Sequence, residues 1–221
     1  MKIVIDREVS DKFPDLDVLV RCVRGVVVKP FDEELEKFKS EVCSEVRGKY
    51  TLESVKNVAI FRAYRDFFWR LNIDPTKNRP ASEALIRRIL AGKGLPTINT
   101  LVDAYNLASV VSEVALAAFD TDKLQSKEIV MRLAKKGETF HGIGMKEPIK
   151  LEGGEVVLDD ANNLMAIYPY RDAERSKVTE STKNVALVAC GAPNISRDRL
   201  LQAADTAVNY VIRFCGGTPS L

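Results

Sequence analysis

The sequence predicts an α+β fold, because helical patterns fill most of its first half and short strand patterns most of its second half. A doubly wound sheet would instead alternate strands and helices along the whole chain. The 221 residues are 46% hydrophobic and 29% charged, which is typical of a folded protein and not of a disordered one. No repeat, low-complexity tract or Pro/Ser-rich linker divides the chain, so we expect a single compact domain over residues 1–221.

The first third of the chain contains two strand patterns followed by two helical patterns. Residues 2–9 and 18–29 are rich in Val and Ile, which predicts strands. Asp32 precedes apolar residues at three- and four-residue steps, and this spacing predicts an amphipathic helix that ends at Gly48. A second helical pattern covers residues 52–71.

Two more helices are predicted in the middle of the chain. Pro80 opens a short helix over residues 82–91, since proline is favoured at a first helical position and Gly92 follows the pattern. Thr97 is the predicted cap of a long helix that continues to about Glu113.

Beyond Ala118 the pattern changes to short apolar runs that predict strands, followed by one helix over residues 196–214. The strand runs are residues 128–134, 155–159, 163–169 and 184–190. The chain has no apolar run long enough to span a membrane, and its N-terminus reaches Lys2 at once, unlike a secretory signal. We therefore expect a cytoplasmic protein that does not contact membranes.

Residue usage argues against several classes of site. His141 is the only histidine, and none of the four cysteines forms a C-x-x-C pair, so we expect no metal site. The chain contains no G-x-S-x-G, no G-x-x-x-x-G-K-[ST] and no G-x-G-x-x-G motif. These absences argue against the usual serine hydrolases, nucleotide hydrolases and dinucleotide-binding enzymes, and we expect no cofactor.

Positive charge is concentrated in one segment. The formal net charge is +2, but residues 62–93 contain eight cations and three anions, with aromatic residues between them. Cationic side chains attract phosphates, and aromatic rings can stack on unpaired bases. The alternative is a solvated helical face beside aromatic residues of the core. We predict nucleic-acid contacts from five members of this segment: Lys77, Arg79, Arg87, Arg88 and Lys93.

An ordered series of short segments from Leu95 onward resembles a known family. The series includes Ala118-Phe119-Asp120, Ile129-Val130-Met131-Arg132-Leu133-Ala134, Val157-Leu158-Asp159-Asp160, Asp172-Ala173-Glu174-Arg175-Ser176-Lys177-Val178-Thr179 and Thr182-Lys183-Asn184-Val185. It resembles the tRNA-editing domain of the phenylalanyl-tRNA synthetase beta subunit, its fused B-three/B-four module, over about residues 60–215. Residues 1–59 are then an N-terminal extension, and residues 73–85 are typical of free-standing members of the family.

The resemblance implies a three-layer arrangement of helices with mixed and antiparallel sheets, and binding of the aminoacylated 3′ end of a tRNA. In the synthetase this module hydrolyses the ester of a wrongly attached amino acid. Glu174 aligns with the family's pocket glutamate and is the candidate catalytic residue. Ala117 stands where synthetase members have a pocket histidine, and Asp172-Ala173 where they have Gly-Gly, so we expect an altered substrate pocket.

Besides Ala117, the candidate substrate contacts are Asp103, Asn106, Thr179 and His141. Asp103 and Asn106 lie one turn apart on the predicted long helix, where a solvated face is the alternative. Thr179 is placed to donate to a substrate carbonyl, although strand ends are rich in threonine for ordinary reasons. His141 is either a loop residue or a substrate contact, and Glu174 has a surface ion pair with a neighbouring arginine as its alternative role.

Three functions are compatible with these features. The first is a trans-acting deacylase that removes a wrong amino acid from tRNA. The ester is already activated, so an oriented water and oxyanion donors suffice without a catalytic histidine. The second is a non-catalytic tRNA-binding module, motivated by Ala117 in place of histidine. The third is a protein that binds a free amino acid or a small carboxylate at a basic helix start. The amino acid, the tRNA and the number of chains in an assembly do not follow from the sequence.

Overall fold

The helices and strands follow the predicted order closely in the second half of the chain and less closely in the first. The computed structural model describes residues 1–161 and 163–220. Its helices are α1 (Arg7–Lys12), α2 (Glu33–Lys49), α3 (Ala59–Arg70), α4 (Ala81–Leu90), α5 (Thr100–Ser112) and α6 (Arg197–Cys215). Its strands are β1 (Lys2–Ile5), β2 (Val18–Arg24), β3 (Ala115–Asp120), β4 (Glu128–Leu133), β5 (Thr139–Phe140), β6 (Ile149–Lys150), β7 (Val156–Asp160), β8 (Asn163–Ile167), β9 (Arg171–Asp172), β10 (Asn184–Cys190) and β11 (Thr218–Ser220). Short 3₁₀ helices lie at Ser54–Asn57, Thr121–Lys123 and Glu174–Ser176.

Two sheets form the centre of the fold. The first is antiparallel, with the strand order β11-β2-β10-β3, and β10 pairs with both β2 and β3 so that Val188 lies opposite Val20 and Ala117. The second has the order β1-β4-β7-β8-β9 and is antiparallel except for the parallel pair β1–β4. Strands β5 and β6 form a separate two-stranded sheet.

Three layers result from the way these sheets bury their faces. Helices α5 and α6 pack against each other and on the four-stranded sheet, and one continuous apolar core contains side chains from the helices and from both sheets. In β7, Val156 and Leu158 join this core, while Val157 between them packs with Phe140 and Leu151 in a second cluster. The predicted α+β fold is therefore confirmed.

The two predicted N-terminal strands are longer than the strands that form. Strand β1 ends at Ile5, because the Asp6 carboxylate accepts a hydrogen bond from the Arg7 N–H at 2.6 Å and caps α1. Strand β2 ends at Arg24, after which Gly25 adopts a left-handed φ of +70°. A Val- and Ile-rich composition marks both strands but does not mark the residues that interrupt them.

Two predicted helices also begin at different residues. The pattern over residues 52–71 divides into a 3₁₀ helix and α3, which begins only at Ala59. Helix α5 begins at Thr100, because the side chain of Asn99 and not that of Thr97 caps it, accepting from the Val102 N–H at 2.9 Å. Strands β3 and β11 are not anticipated by the sequence pattern. Three of the six residues of β3 are alanines, and alanine is depleted in strands, so the composition of this segment does not predict one.

A buried ion pair joins α2 to α5. Lys39 and Asp103 are each 3% exposed, and the Lys39 ammonium lies 3.0 Å from the Asp103 carboxylate. The same ammonium lies 2.6 Å from Glu36 and donates to the Pro96 carbonyl at 2.8 Å. Burial raises the pKa of Asp103, against the opposing effect of the Lys39 hydrogen bond.

We expect Lys39→Met to destabilise the fold by about 3 kcal/mol, because it leaves Asp103 as a buried carboxylate without its cation. The double variant Lys39→Met/Asp103→Asn should recover at least about 1 kcal/mol of that loss, since the neutral amide removes the unpaired charge. Urea unfolding of the wild type and both variants measures the difference. A Lys39→Met protein as stable as the wild type would show that the ion pair contributes nothing.

Candidate functional site

Five cationic side chains line one surface groove along α4. They are the five predicted nucleic-acid contacts, and we call this surface the cation groove: Lys77, Arg79, Arg87, Arg88 and Lys93. The groove has a volume of about 520 Å³, and the small side chains of Ala84 and Ala91 form part of its floor. Residues that are up to 16 positions apart in sequence thus present their charges to a single surface.

Two cations of the groove are hydrogen-bonded to other groups of the protein, and three are exposed to solvent. The Arg87 guanidinium donates to Glu83 at 2.6 Å, and Arg88 donates to the Gly94 carbonyl at 3.0 Å. The other three cations are exposed and form no salt bridge within the described part of the chain. These are Lys77, Arg79 and Lys93. The groove therefore presents uncompensated positive charge, which is what a phosphate-bearing ligand requires.

One buried carboxylate holds α4 against α3. Glu83 is fully buried in the first turn of α4 and accepts hydrogen bonds from Arg87 of α4 and, at 2.9 Å, from the Arg65 Nε of α3. A negative side chain is also favoured in the first turn of a helix, where the free N–H groups point. Part of the charge of Arg87, a predicted nucleic-acid contact, is therefore neutralised by Glu83.

A small enclosed cavity lies between the two sheets, and we call it the inter-sheet cavity. Its volume is about 60 Å³. Its walls come from β3, β7 to β10, the loop between β8 and β9 and the first residue of α4: Ala81, Ala115, Leu116, Ala117, Leu158, Ala166, Tyr168, Pro169, Tyr170, Asp172 and Cys190. Ala117, a predicted substrate contact, contributes a methyl group to this wall. The cavity is therefore apolar except for the carboxyl group of Asp172, one thiol and two phenols.

Asp172 is the unusual residue of the inter-sheet cavity. Within the described part of the chain, no group donates a hydrogen bond to its carboxyl group, and no cation lines the cavity. Burial raises the pKa of Asp172 from its ordinary value of 3.8 to about 7. The carboxyl group also contributes, after burial, to raising the pKa values of Cys190 and Tyr105. A carboxyl group with a pKa of about 7 exchanges its proton at neutral pH. It can therefore donate a hydrogen bond when protonated and accept one when ionised.

Glu174 lies on the rim of a second, larger hollow, which we call the Glu174 hollow. The hollow has a volume of about 470 Å³ and is also lined by His141, Asn163 and Arg175. Glu174 forms an ion pair with Lys177, not with a neighbouring arginine, and this pair lowers the pKa of Glu174. The structure thus brings the predicted residues Glu174 and His141 to one hollow, where the glutamate is an ionised acceptor.

Segment 172–174 separates the two hollows. Asp172 faces the inter-sheet cavity, Ala173 packs in the second apolar cluster, and Glu174 lines the larger hollow. The Glu174 N–H donates to the His141 carbonyl at 2.9 Å, which anchors the segment. Because two residues span at most about 7 Å, the Cα atoms of Asp172 and Glu174 lie within that distance.

The remaining predicted contacts line none of these hollows. Asp103 is engaged in the ion pair with Lys39. Asn106 is half-buried on α5, and the Thr179 hydroxyl lies 2.8 Å from that of Ser181 in a loop. Among the described residues there is no cluster of three or more His, Cys, Asp or Glu that could hold a metal ion. None of the helices in that part of the chain is long and apolar enough to cross a membrane.

The wall of the inter-sheet cavity contains residues that sequence analysis did not assign to a site. Cys190 comes from an apolar strand, and Tyr168 follows another, so both resemble ordinary core residues. Asp172 was noted only as a departure from a Gly-Gly pair. The one sequence feature that could have indicated Asp172 is its position, an acidic residue shortly after the apolar run of β8.

We expect the stability of the protein to fall as the pH rises from about 4 to about 7, because the folded state retains the Asp172 proton that the unfolded chain releases. The full pKa difference corresponds to about 4 kcal/mol, and partial exposure of the residue reduces this to about 2 kcal/mol. Asp172→Asn should remove this component. Urea unfolding at pH 5 and pH 8 measures it, with the exposed Asp15→Asn as control. Identical pH profiles for the wild type and Asp172→Asn would contradict the raised pKa.

Comparison with known proteins places most of the chain in one family. A family model described as the B3/4 domain matches residues 63–216. The phenylalanine–tRNA ligase beta subunit of Protochlamydia amoebophila is 29% identical over 147 residues, which are 66% of this chain and 15% of that protein. The beta subunit of Thermotoga maritima is 33% identical over 98 residues, which are 44% of this chain and 12% of that protein. The chain thus spans a small part of the length of these relatives.

A solved structure shares the fold. An N-terminal fragment of the phenylalanyl-tRNA synthetase beta subunit from Pyrococcus horikoshii has a TM-score of 0.53, at 17% identity, over 99% of this chain and 50% of that chain. The family model covers more than half of the chain, and its range includes the cation groove and both hollows. The chain therefore belongs to the B3/4 domain family.

Proposed function

We propose that this chain binds the aminoacylated 3′ end of a tRNA and hydrolyses its ester bond in trans, as a deacylase. The observation that carries this proposal is the position of α4. Its exposed side lines the cation groove, and its first residue, Ala81, lines the inter-sheet cavity. Arg88 follows Ala81 by seven residues, or ~10 Å along the helix axis. An RNA strand bound in the groove would therefore end close to a cavity that can take the side chain of a small aminoacyl group.

Family membership supports tRNA as the partner. The relatives named above are beta subunits of phenylalanine–tRNA ligases, and the matched part of this chain is their B3/4 domain. Because this chain spans only 12–15% of those proteins, the proposal takes from them the tRNA partner and not the aminoacylation reaction.

The proposed reaction is hydrolysis of an activated ester. The oxygen of a water molecule bonds to the ester carbonyl carbon, and the bond from that carbon to the ribose oxygen breaks. The ribose oxygen takes a proton from the water, and the amino acid leaves as a carboxylate after losing the other proton. The protein needs to hold the water, position the ester and stabilise the negative oxygen of the intermediate.

Two features of the structure suit these tasks. The first N–H groups of α4 have no acceptor in the preceding turn, and Ala81 places them at the cavity, where they are candidate donors to the oxyanion. Glu174 is ionised and lines the neighbouring hollow, with its Cα atom within about 7 Å of that of Asp172, so we propose that it accepts a hydrogen bond from a water held at the edge between the two hollows. Its lowered pKa makes it a weak base, and we assign it orientation of the water, not proton removal.

One observation favours a second function, a non-catalytic tRNA-binding module. Ala117 gives the inter-sheet cavity a methyl group where an imidazole would supply a polar contact. This module would use the same cation groove and would bind tRNA without turnover. A hydrolysis assay therefore distinguishes the two functions, whereas a tRNA-binding assay does not, because both functions predict binding.

We expect the purified protein to hydrolyse at least one member of a broad panel of mischarged tRNAs above the spontaneous rate. Lys77→Glu/Lys93→Glu should reduce kcat/KM by at least ~10-fold at low salt, because two phosphate contacts become repulsive. The slope of log affinity for tRNA against log salt concentration should fall by ~1.4, or ~0.7 for each lost contact. Glu174→Gln should retain tRNA affinity and lose rate by ~100-fold.

The matched control is Lys37→Glu/Lys183→Glu, which changes the net charge equally at two exposed lysines outside the groove. This control should retain both affinity and rate. Binding without hydrolysis of any panel member would favour the non-catalytic module. Equal losses in the groove variant and the control would remove the cation groove from the proposal.

A further inference from the structure

The carboxyl group of Asp172 lines the inter-sheet cavity, and no described group of the protein donates a hydrogen bond to it. The Tyr168 hydroxyl donates to the Gly191 carbonyl at 2.7 Å, and the Cys190 thiol donates to the Val188 carbonyl at 3.7 Å. These wall groups therefore direct their hydrogens to the backbone and away from Asp172. Within residues 1–161 and 163–220, nothing satisfies the Asp172 carboxyl group. Asp172 is half-buried at the cavity wall, so its carboxyl group is available to accept a hydrogen bond from a group that enters the cavity.

The size of the cavity limits that donor to a compact group. An engineered cavity of about 150 Å³ in a well-studied protein binds benzene. The inter-sheet cavity has about 60 Å³, so an aromatic ring does not fit. Its walls include Ala81, Ala117 and Ala166, which have no side-chain torsions that could open more space. Space for a few heavy atoms, with one acceptor at the wall, suits a hydroxymethyl or hydroxyethyl group.

We propose that the inter-sheet cavity selects a small amino acid whose side-chain hydroxyl donates to Asp172, such as serine or threonine, and excludes phenylalanine and tyrosine. This inference rests on the proposed function, because it assigns the side-chain class of the aminoacyl group at the same site. The inference adds to the proposed function that Asp172 is the specificity-determining residue. The long side chain of lysine does not fit the cavity, and the α-ammonium group, which all amino acids share, gives no selection.

Hydrogen-bond recognition in a closed site gives strong selection. A site built around a substrate hydroxyl rejects the analogue without it, because the protein acceptor is then left unpaired. Alanine differs from serine only by that hydroxyl. We therefore expect the seryl ligand to bind at least ~10-fold more tightly than the alanyl ligand.

The test measures affinity without turnover. Calorimetry of the full chain with non-hydrolysable 3′-aminoacylamino-adenosines compares the seryl, threonyl, alanyl and phenylalanyl compounds. The wild type should prefer the seryl over the alanyl compound by at least ~10-fold and should not bind the phenylalanyl compound detectably. Asp172→Leu, which has a similar shape and no acceptor, should abolish the preference. Asp172→Asn, which keeps an acceptor oxygen, should retain most of it.

The outcomes distinguish this inference from the proposed function. Equal affinity of the wild type for the seryl and alanyl compounds overturns the role of Asp172. The role of Asp172 is also overturned if Asp172→Leu and Asp172→Asn lose affinity equally for the seryl and alanyl compounds. That result would mean that Asp172 binds the α-ammonium group, which both compounds share. A clear seryl preference without hydrolysis of seryl-tRNA supports the cavity assignment and removes only the deacylase. If none of the compounds binds, both proposals fail.

Discussion

The arrangement of the site depends on one buried carboxylate, that of Glu83. It is fully enclosed, and it receives hydrogen bonds from Arg65 on α3 and Arg87 on α4. A buried carboxylate is stable only when its charge is matched, so these two arginines and Glu83 lock the two helices together. These ion pairs help to orient α4 relative to α3. The exposed side of α4 lines the cation groove, and its first residue lines the inter-sheet cavity. Helix α4 also packs on α2, α5 and β3, and Ile86 and Ile89 are buried in these contacts.

The second constraint is the short segment from Asp172 to Glu174. Asp172 ends strand β9 and Glu174 begins the 3₁₀ helix Glu174–Ser176, so one short segment serves both the inter-sheet cavity and the Glu174 hollow. Asp172 meets an apolar environment and has its pKa raised by burial, whereas Glu174 meets Lys177 and has its pKa lowered. Two carboxyl groups two residues apart therefore differ in protonation near pH 7. One is suited to hydrogen bonding inside a closed cavity, and the other to holding water at an open rim.

Sequence patterns predicted those features that depend on local spacing. The helix and strand order, and the α+β class, follow from periodicity that the tertiary structure preserves. The five cations of the cation groove were identified because they are close in sequence. The pairing of Arg87 with Glu83, and of Asp103 with Lys39, depends on helix packing and leaves no local signal. Strand β3 was missed because it is rich in alanine, which is depleted in strands. The cavity was missed because its walls come from five separate strands, a loop and a helix.

The most direct test of the account is a crystal structure of the protein with a short RNA that ends in a non-hydrolysable seryl-adenosine. We expect backbone phosphates within hydrogen-bonding distance of Arg88 and Lys93, and the seryl hydroxyl donating to Asp172 in the inter-sheet cavity. An RNA end bound away from α4, or a seryl group outside the inter-sheet cavity, would contradict it.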